Sequence, residues 1–524
     1  MSKAPGSVVR TFQSSASRIH RLLSVLVLPL ISFFLPVSSP AQIGIATTVP
    51  HRYLVIYRSN SIPADAEIRT HALGARLLHR SDRLGIATVQ FNASTNDAAA
   101  IEQLRAEPNV AYVIHDRVLS ATRLHVKALP ATFSVVIGAK SNTAPYDTYY
   151  TETPQEWAVQ QVGGYGDNVP GGPSHGPWDI TRGKGIRIAI LDSGVDQTHP
   201  DIAPNLVLNL SEVDPSAYPS ACDDGTPQDQ SGHGTWTASL AAGAMGPGTG
   251  EIIGVAPEAG ILNIKVLERM PAVLNGASLA DQCTAGQASG LLSWVLQGIN
   301  DAIANRADII SLSVGAVADL TTGDGAGLQA AFDRVTWAAA QANIVLVAAA
   351  GNEGLDLSNP RFVELPAQSR GVLAIEASTN PACAQTADPN EGCAPGPVSL
   401  AYYSNHDIAD ALAAPGGSYP EGSDTSATGW VRGACSNGIP STLDGPPTDS
   451  AHSMGCFNLG HAAYVQAIGT SASAPLAAGA AALIRAAHPD WDAATVVAAM
   501  RSTAVLTRSL PVPQVSAAAA LSTP

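Results

Sequence analysis

Three polar side chains stand at the ends of apolar stretches, where a reacting group could be held. Asp192 ends "IRIAILD", His233 lies in "DQSGHGT" just as a helical stretch begins, and Ser471 lies in "GTSASAP" ahead of a long run of small residues. A serine hydroxyl is a poor nucleophile until an imidazole takes its proton and a carboxylate orients that imidazole. These three residue types could therefore perform acyl transfer through a nucleophilic serine.

Each of the three has a structural explanation when it is taken alone. Ser471 or Ser473 could cap the buried helix that follows, and Pro475 suits the first turn of that helix. A lone aspartate at a strand end often caps a turn, and a lone histidine is often structural. The order Asp, His, Ser along the chain is characteristic of one class of serine hydrolases, whereas α/β-hydrolases have the order Ser, Asp, His.

The elements that must position these residues follow an alternating pattern beyond Trp178. Continuous apolar runs are typical of a parallel sheet covered by helices on both faces, with active residues at the carboxyl ends of the strands. Helical stretches fall between the runs, so we predict an α/β domain. The predicted strands are 186–191, 261–267, 308–314, 344–350 and 372–378, and the predicted helices are 235–244, 289–305 and 327–341.

The N-terminal part of the chain is predicted to form separate units. Residues 22–37 form an apolar run after Arg10, Arg18 and Arg21, with small residues following, so we predict a secretory signal peptide over 1–41 and an exported protein. Strand and helix patterns in 51–120 predict a small ferredoxin-like α+β unit with strands at 52–58, 84–91 and 109–116. Its predicted helices are 64–73 and 95–105, and residues 121–153 are predicted to be a linker.

Charge is distributed unevenly along the chain. Residues 1–123 hold 13 Lys and Arg against 7 Asp and Glu, and the remainder holds 15 basic against 36 acidic residues. An acidic main body argues against nucleic acid as a partner. The basic N-terminal part could dock on the acidic part by charge complementarity.

Six cysteines fit an oxidising compartment and predict disulfide bonds. Six cysteines allow 15 pairings, and the short intervals favour Cys383–Cys393 and Cys435–Cys456, which leaves Cys222 with Cys283. The alternative is a zinc site, because His452 and His461 lie near Cys435 and Cys456, although the spacing matches no standard zinc finger.

Four segments in the same order resemble the signature motifs of the subtilisin-like serine protease (subtilase) family. They are "AILDSGVDQTHPD", "SGHGTWTA", "VAAAGNEG" and "GTSASAP". The resemblance implies a three-layer α/β fold over 154–524, a triad of Asp192, His233 and Ser471, and Asn352 as a donor to the oxyanion. Residues 51–120 are similar to the inhibitory propeptide of this family, which implies that the enzyme matures by cutting itself within 120–150.

The resemblance also suggests a substrate-binding region. Ser313, Val314 and Gly315, together with Ala349, Ala350 and Gly351, would flank the primary specificity pocket. Their small side chains leave a roomy apolar cleft, which favours bulky apolar residues before the scissile bond, whereas Glu353 at the rim could favour a basic one. The expected partners are protein and peptide substrates and the propeptide itself. We expect a monomer that binds no nucleic acid and, once the signal is removed, no membrane.

No cofactor is required by this chemistry, and no metal site is predicted. Calcium is possible but doubtful, because "GAMGPGTGE" replaces the family's calcium-binding loop and lacks its usual asparagine. Asp201 matches one family ligand, but one carboxylate does not make a six-oxygen site. Trp236, Ala472 and Ala474 also differ from the residues common at those positions in the family.

Two other functions are consistent with parts of the sequence. A catalytically silent binding module would keep the fold but lack a catalytic residue, and none is missing here. An esterase of another α/β fold would need Gly-x-Ser-x-Gly, and the second glycine is absent after Ser471. A dinucleotide enzyme would need a Gly-x-Gly-x-x-Gly turn after its first strand, which "ILDSGVD" does not contain.

Overall fold

The computed structural model describes residues 48–121, 146–151, 156–385, 392–418, 429–438, 456–458 and 462–522. The predicted signal peptide and most of the predicted linker lie outside these residues. No helix within the described ranges is long and apolar enough to cross a bilayer.

The N-terminal unit is a four-stranded antiparallel sheet with two helices. Its elements are β1 (Thr48–Tyr57), α1 (Ala66–Ala72), β2 (Ala75–Ser81), β3 (Ile86–Phe91), α2 (Asp97–Ala106) and β4 (Val110–Ala121). The strand order β4-β1-β3-β2 is that of a ferredoxin-like unit, as predicted. The sequence pattern missed β2, because its exposed polar side chains give it little apolar alternation.

The segments that follow include most strands of the main sheet. They comprise α3 (Thr148–Thr151), α4 (Trp157–Val162), β5 (Arg187–Asp192), β6 (Leu206–Ser211), α5 (His233–Ala242), β7 (Gly260–Lys265), β8 (Glu268–Arg269), α6 (Leu279–Thr284), β9 (Ala288–Leu291), α7 (Leu292–Ala304), β10 (Ile309–Leu312), β11 (Val314–Asp319), α8 (Gly323–Gln341) and β12 (Val345–Ala349).

The remaining elements include the other strands of the main sheet and the last helices of the chain. They comprise β13 (Phe362–Leu365), β14 (Val372–Thr379), α9 (Pro381–Ala384), β15 (Ser399–Leu400), β16 (Leu412–Pro415), β17 (Val431–Cys435), β18 (Phe457–Asn458), β19 (Ala463–Ala467), α10 (Thr470–Ala487), α11 (Ala493–Thr503) and α12 (Ala517–Leu521).

The main sheet has the order β15-β14-β12-β10-β5-β7-β6, and β16 also pairs with β14. All of its pairings are parallel except β14 with β15. Along β5, Ile188 and Ile190 pack into the core that contains α5 and α10, while Ala189 and Leu191 pack into the core that contains α7 and α8. The predicted three-layer arrangement is therefore confirmed.

Beyond shifts of their ends, two predicted elements of the main domain differ from the structure in type or in sheet assignment. The helix predicted over 289–305 begins instead at Leu292, because residues 288–291 form β9 and pair with β4 and β8. The strand predicted over 308–314 is divided at Ser313 into β10 and β11, which belong to different sheets. Both differences result from pairing with distant segments of the chain.

The sheet of the N-terminal unit has two buried faces. Tyr53, Val55 and Val89 pack on the side of its own helices. On the other face, Leu54, Ile56 and other apolar residues pack in the same core as α7 and α8. The unit is thus docked on the two helices that follow β9 and β11.

Candidate active site

Asp192 and His233 are hydrogen-bonded at the carboxyl edge of the main sheet. Asp192 ends β5, and His233 begins α5; Nδ1 of His233 lies 2.6 Å from Oδ1 of Asp192. The same carboxylate accepts hydrogen bonds from the backbone N–H of Ser193 at 2.7 Å and from the hydroxyl of Thr237 at 3.2 Å. Both side chains are almost fully buried. The carboxylate is therefore fixed on three sides and can hold the imidazole in one orientation.

The loop before α5 is fixed by Asp229, a residue that the sequence reading did not single out. Its buried carboxylate accepts hydrogen bonds from the backbone of Ser231, Gly232 and Thr235 and from the hydroxyl of Ser193. A Cβ on Gly234 would lie 2.0 Å from the carbonyl oxygen of Gly194, so glycine allows β5 and α5 to approach closely. "DQSGHG" thus encodes a fixed start for the histidine helix.

Ser471 lies in the first turn of α10, and neither Ser471 nor Ser473 caps the helix. The N-cap is Gly469, in a backbone conformation with φ of 152°, and the helix begins at Thr470. Pro475 therefore lies in the second turn, whereas the sequence suggested the first turn. Because proline has no N–H, the carbonyl oxygen of Ser471 lacks its helical partner. The hydroxyl of Ser313 donates to that oxygen at 3.1 Å.

Asn352 is joined to the residue before the serine. Its Oδ1 accepts hydrogen bonds from the backbone N–H and the hydroxyl of Thr470, both at 2.8 Å. The Thr470 hydroxyl in turn accepts the N–H of Gly351 at 3.2 Å. The oxygen of the Asn352 amide is therefore engaged with Thr470, which fixes the orientation of the side chain. Thr470 was not identified from the sequence.

The second ring nitrogen of His233 remains open for proton transfer. Nε2 is buried and makes no hydrogen bond within the described part of the chain. This nitrogen is the one that can take a proton when Nδ1 is bonded to a carboxylate. The structure therefore brings Asp192 and His233 together, and it joins Asn352 to Thr470, the residue before Ser471.

The predicted substrate-binding segments lie beside a strand of the N-terminal unit. Val314 and Gly315 of β11 pair antiparallel with Ala121 and Ser120 of β4. On its other edge, β4 pairs with residues 289–291 of β9, a segment that the sequence reading assigned to a helix. An extended backbone therefore runs between β9 and β11. Ala349 ends β12, and Ala350 and Gly351 follow it toward Asn352.

The N-terminal unit also caps α7 with a buried carboxylate. Oδ1 of Asp116 accepts the N–H of Ser293 at 3.0 Å, and Oδ2 accepts the Ser293 hydroxyl at 2.7 Å. Arg52 donates to the same carboxylate at 2.6 Å. The N-cap of α7, Leu291, has no side-chain bond of its own. At the start of α8, Asp324 lies 3.0 Å from the ring of His115 and 3.7 Å from Arg117.

The cysteines form the three predicted disulfides. Cys222 is bonded to Cys283, Cys383 to Cys393 and Cys435 to Cys456, and no described cysteine is free. A zinc site that uses Cys435 and Cys456 is therefore wrong, since both sulfurs are consumed. His452 and His461 lie outside the described residues.

Asp201 does not fit a calcium ligand. It is fully buried, and its two oxygens accept the backbone N–H groups of Gly250 at 2.6 Å and Ile252 at 3.3 Å. Burial raises the pKa of this carboxyl well above its usual value. Calcium needs a shell of oxygen ligands, and here donors occupy the carboxylate. Elsewhere among the described residues, two surface groups could offer metal ligands: Asp167, His175 and Asp179, and Asp356, His406 and Asp407.

A parallel sheet with a buried Asp–His pair at its carboxyl edge and a serine at a helix N-terminus defines a serine hydrolase-like centre. Comparison with known proteins narrows this class. The model of the subtilase family, Peptidase S8, matches residues 183–520, and the model of the fervidolysin N-terminal prodomain matches residues 49–115. The chain therefore belongs to the subtilase family of serine peptidases and carries a prodomain ahead of the family domain.

Several relatives share parts of the chain. Subtilisin E of Bacillus subtilis is 28% identical over 418 residues, which is 79% of this chain and 76% of the relative. Thermitase of Thermoactinomyces vulgaris is 36% identical over 39% of this chain and 58% of its own length. The intracellular serine protease of Paenibacillus polymyxa is 34% identical over 34% of this chain. The chain spans 44% of the length of that relative.

Two solved structures share the fold. The crystal structure of fervidolysin from Fervidobacterium pennivorans, described as a keratinolytic enzyme related to subtilisin, matches with a TM-score of 0.61 and 20% identity. That match covers 91% of this chain and 61% of fervidolysin. The epidermin leader peptide processing protease of Staphylococcus aureus matches with a TM-score of 0.58 and 16% identity, over 90% of this chain and 98% of its own.

Proposed function

We propose that this protein is a serine endopeptidase in which Ser471 is the nucleophile, His233 the general base, Asp192 the orienting acid and Asn352 a donor to the oxyanion. The observation that carries the proposal is the 2.6 Å bond between Asp192 and His233, which leaves Nε2 of the histidine without a described partner. Membership of the subtilase family supports the same residues.

The reaction follows from these positions. Nε2 of His233 takes the proton of the Ser471 hydroxyl as the oxygen attacks the carbonyl carbon of the peptide bond. The negative oxygen that develops accepts hydrogen bonds from the Asn352 amide and from the backbone N–H of Ser471, at the positive end of α10. His233 then gives its proton to the leaving amine, and a water molecule releases the acyl group by the same steps in reverse.

The proposal includes export and self-processing. A signal over 1–41 and three disulfides suit an oxidising compartment. The N-terminal unit would serve as an inhibitory propeptide, because its β4 occupies the place between β9 and β11 that a substrate strand would take. Cleavage within 120–150 would then separate 51–120 from the peptidase domain.

A fluorophosphonate reagent tests the proposal directly, since it reacts covalently with an activated serine. Labelling of the processed protein at Ser471, located by mass spectrometry, together with hydrolysis of unstructured proteins such as casein is the expected result. Ser473→Ala is the matched control, because that serine lies two residues further along α10, and it should still be labelled. A silent binding module would be neither labelled nor active, and an esterase would cleave ester but not peptide substrates.

A further inference from the structure

A buried carboxylate lies next to one of the segments proposed to bind substrate. Glu364 belongs to β13, which pairs with β11 on the edge opposite to β4, and it lies opposite Val317. Its side chain reaches the glycine of the proposed pocket, because a Cβ on Gly315 would lie 2.1 Å from Oε1 of Glu364. The carboxylate thus occupies the space that a side chain at position 315 would fill.

Nothing in the described part of the chain neutralises this group. Glu364 is 2% exposed, Oε2 makes no hydrogen bond there, and no described Lys or Arg forms an ion pair with it. A buried carboxylate without donors is unfavourable in its charged form, so the group either takes up a proton or binds a cationic partner. Burial, and then the charge of Glu353, raises the pKa of Glu364 well above its usual value.

Glu353 brings a second carboxylate to the other proposed segment. A Cβ on Gly351 would lie 2.7 Å from Oε2 of Glu353, and the φ of Gly351 is +96°. The side-chain amide of Asn405 donates to Oε2 of Glu353 at 2.8 Å and holds the exposed side chain in place. Each of the two pocket glycines is therefore faced by a carboxylate, one buried and one at the surface.

We infer that Glu364 is the specificity-determining residue of the primary pocket, and that the protein cleaves after lysine or arginine. A cationic side chain entering between Gly315 and Gly351 would supply the donors that Glu364 lacks, and Glu353 would add attraction at the entrance. The inference rests on the proposed function and names its substrate class. It replaces the expectation of bulky apolar residues, which considered only the small side chains of residues 313–315 and 349–351.

Peptide nitroanilides that differ in the residue before the scissile bond test the inference. In the processed wild type, kcat/KM for substrates ending in Lys or Arg should exceed that for Phe or Leu, and Glu364→Gln should lower the Lys-to-Phe ratio about 100-fold. Glu376→Gln is the matched control, since Glu376 is also buried in a strand but lies in β14, outside β11 and β13; it should keep the wild-type ratio. A wild type that prefers Phe or Leu, or a ratio unchanged in Glu364→Gln, would overturn the inference.

The dependence of this ratio on pH provides a further readout. Protonated Glu364 is neutral, so the preference for Lys over Phe should increase as the pH rises through its raised pKa. In Glu364→Gln the ratio should be independent of pH over the range in which Lys stays charged. A wild-type ratio that does not change with pH contradicts the assignment even if the Glu364→Gln variant fails to fold.

Failure of the proposed function can be told apart from failure of the inference. Loss of all peptide turnover and of labelling at Ser471 would overturn the proposed function. In that case, the affinity for cationic benzamidine compared with the affinity for neutral benzamide still tests whether the pocket prefers a cation. At least tenfold tighter binding of benzamidine to the wild type supports the inference, and equal affinities overturn it.

Discussion

In the proposed mechanism, Asp192 and His233 act through orientation as much as through charge. The carboxylate has three donors, and the imidazole uses Nδ1 to bind it. An amide at position 192 could stabilise the wrong tautomer of the ring, and alanine at 233 would remove the proton acceptor. The sheet and its core would remain, because neither change opens a large cavity.

We therefore expect both variants to fold, Asp192→Asn to lose about 10⁴ in kcat and His233→Ala to lose about 10⁶. Circular dichroism of the purified variants checks folding, and peptide hydrolysis checks activity. The variants should be matured by added wild-type enzyme, so that processing is not confused with turnover. Near-normal turnover in either variant would show that the triad assignment is wrong.

Thr470 is a positioning residue for Asn352. Its hydroxyl and its backbone N–H both donate to the amide oxygen of Asn352. Removal of an oxyanion donor costs about 10²–10³ in turnover in enzymes of this kind. A change that only loosens such a donor should cost less.

Thr470→Val should lower kcat by about tenfold with little change in KM, because the backbone bond to Asn352 remains. Thr470→Ser, which keeps the hydroxyl, should restore most of the activity. Steady-state kinetics on one peptide separates the two constants. Equal losses in both variants would indicate a packing defect rather than a lost hydrogen bond.

The contact between β4 and α7 shows how the elements of the two units depend on each other. Asp116 is fully buried, binds Arg52, and accepts two hydrogen bonds from Ser293 in the first turn of α7. Removing one partner of a buried charge pair leaves the other charge without compensation. An amide at position 116 would keep only one acceptor oxygen for the two donors of Ser293 at the start of α7.

Asp116→Asn should destabilise the full-length chain by about 3–5 kcal/mol. Urea unfolding in a Ser471→Ala background, which prevents self-digestion, measures this value. Asp82→Asn is the control, because Asp82 pairs with Arg80 at the surface and should change stability little. If both variants unfold at the wild-type midpoint, the buried pair does not stabilise the docked unit.

At the scale of the whole molecule, one sheet contains strands from the N-terminal unit and from the peptidase domain. β4 connects them, and β4 ends at Ala121, beside the proposed substrate segments. Parallel sheets with many distant contacts form slowly, so a docked folding partner has a physical use. The proposed self-cleavage is intramolecular, so it would benefit from the high effective concentration of a bond within the same chain.

Ser471→Ala should therefore accumulate as a secreted, unprocessed chain that still carries residues 51–120. Immunoblotting and intact mass of the secreted protein measure this, with Ser473→Ala as the processed control. Appearance of the wild-type N-terminus in Ser471→Ala, in a host without other proteases, would exclude self-processing by Ser471.

The sequence alone determined the fold class and the catalytic candidates, because both depend on local signals. Apolar runs identify buried parallel strands. Each of the motifs "ILDSG", "GHGT", "AGNEG" and "GTSAS" can be recognised from a few consecutive residues. The ferredoxin-like unit was found in the same way. Two disulfide pairs followed from short intervals along the chain, and the third from the two cysteines that remained.

Only the tertiary structure decided which distant residues meet. The sequence of β9 predicts helix, but these residues pair with β4 as a strand. Pro475 lies in the second turn of α10 because Gly469, rather than a serine, caps the helix. Thr470 lies within a recognised motif and Glu364 outside all of them, but neither role could be assigned from sequence because their partners, Asn352 and Gly315, lie far along the chain. Local patterns report backbone preference, whereas pocket charge is set by side chains that converge from separate strands.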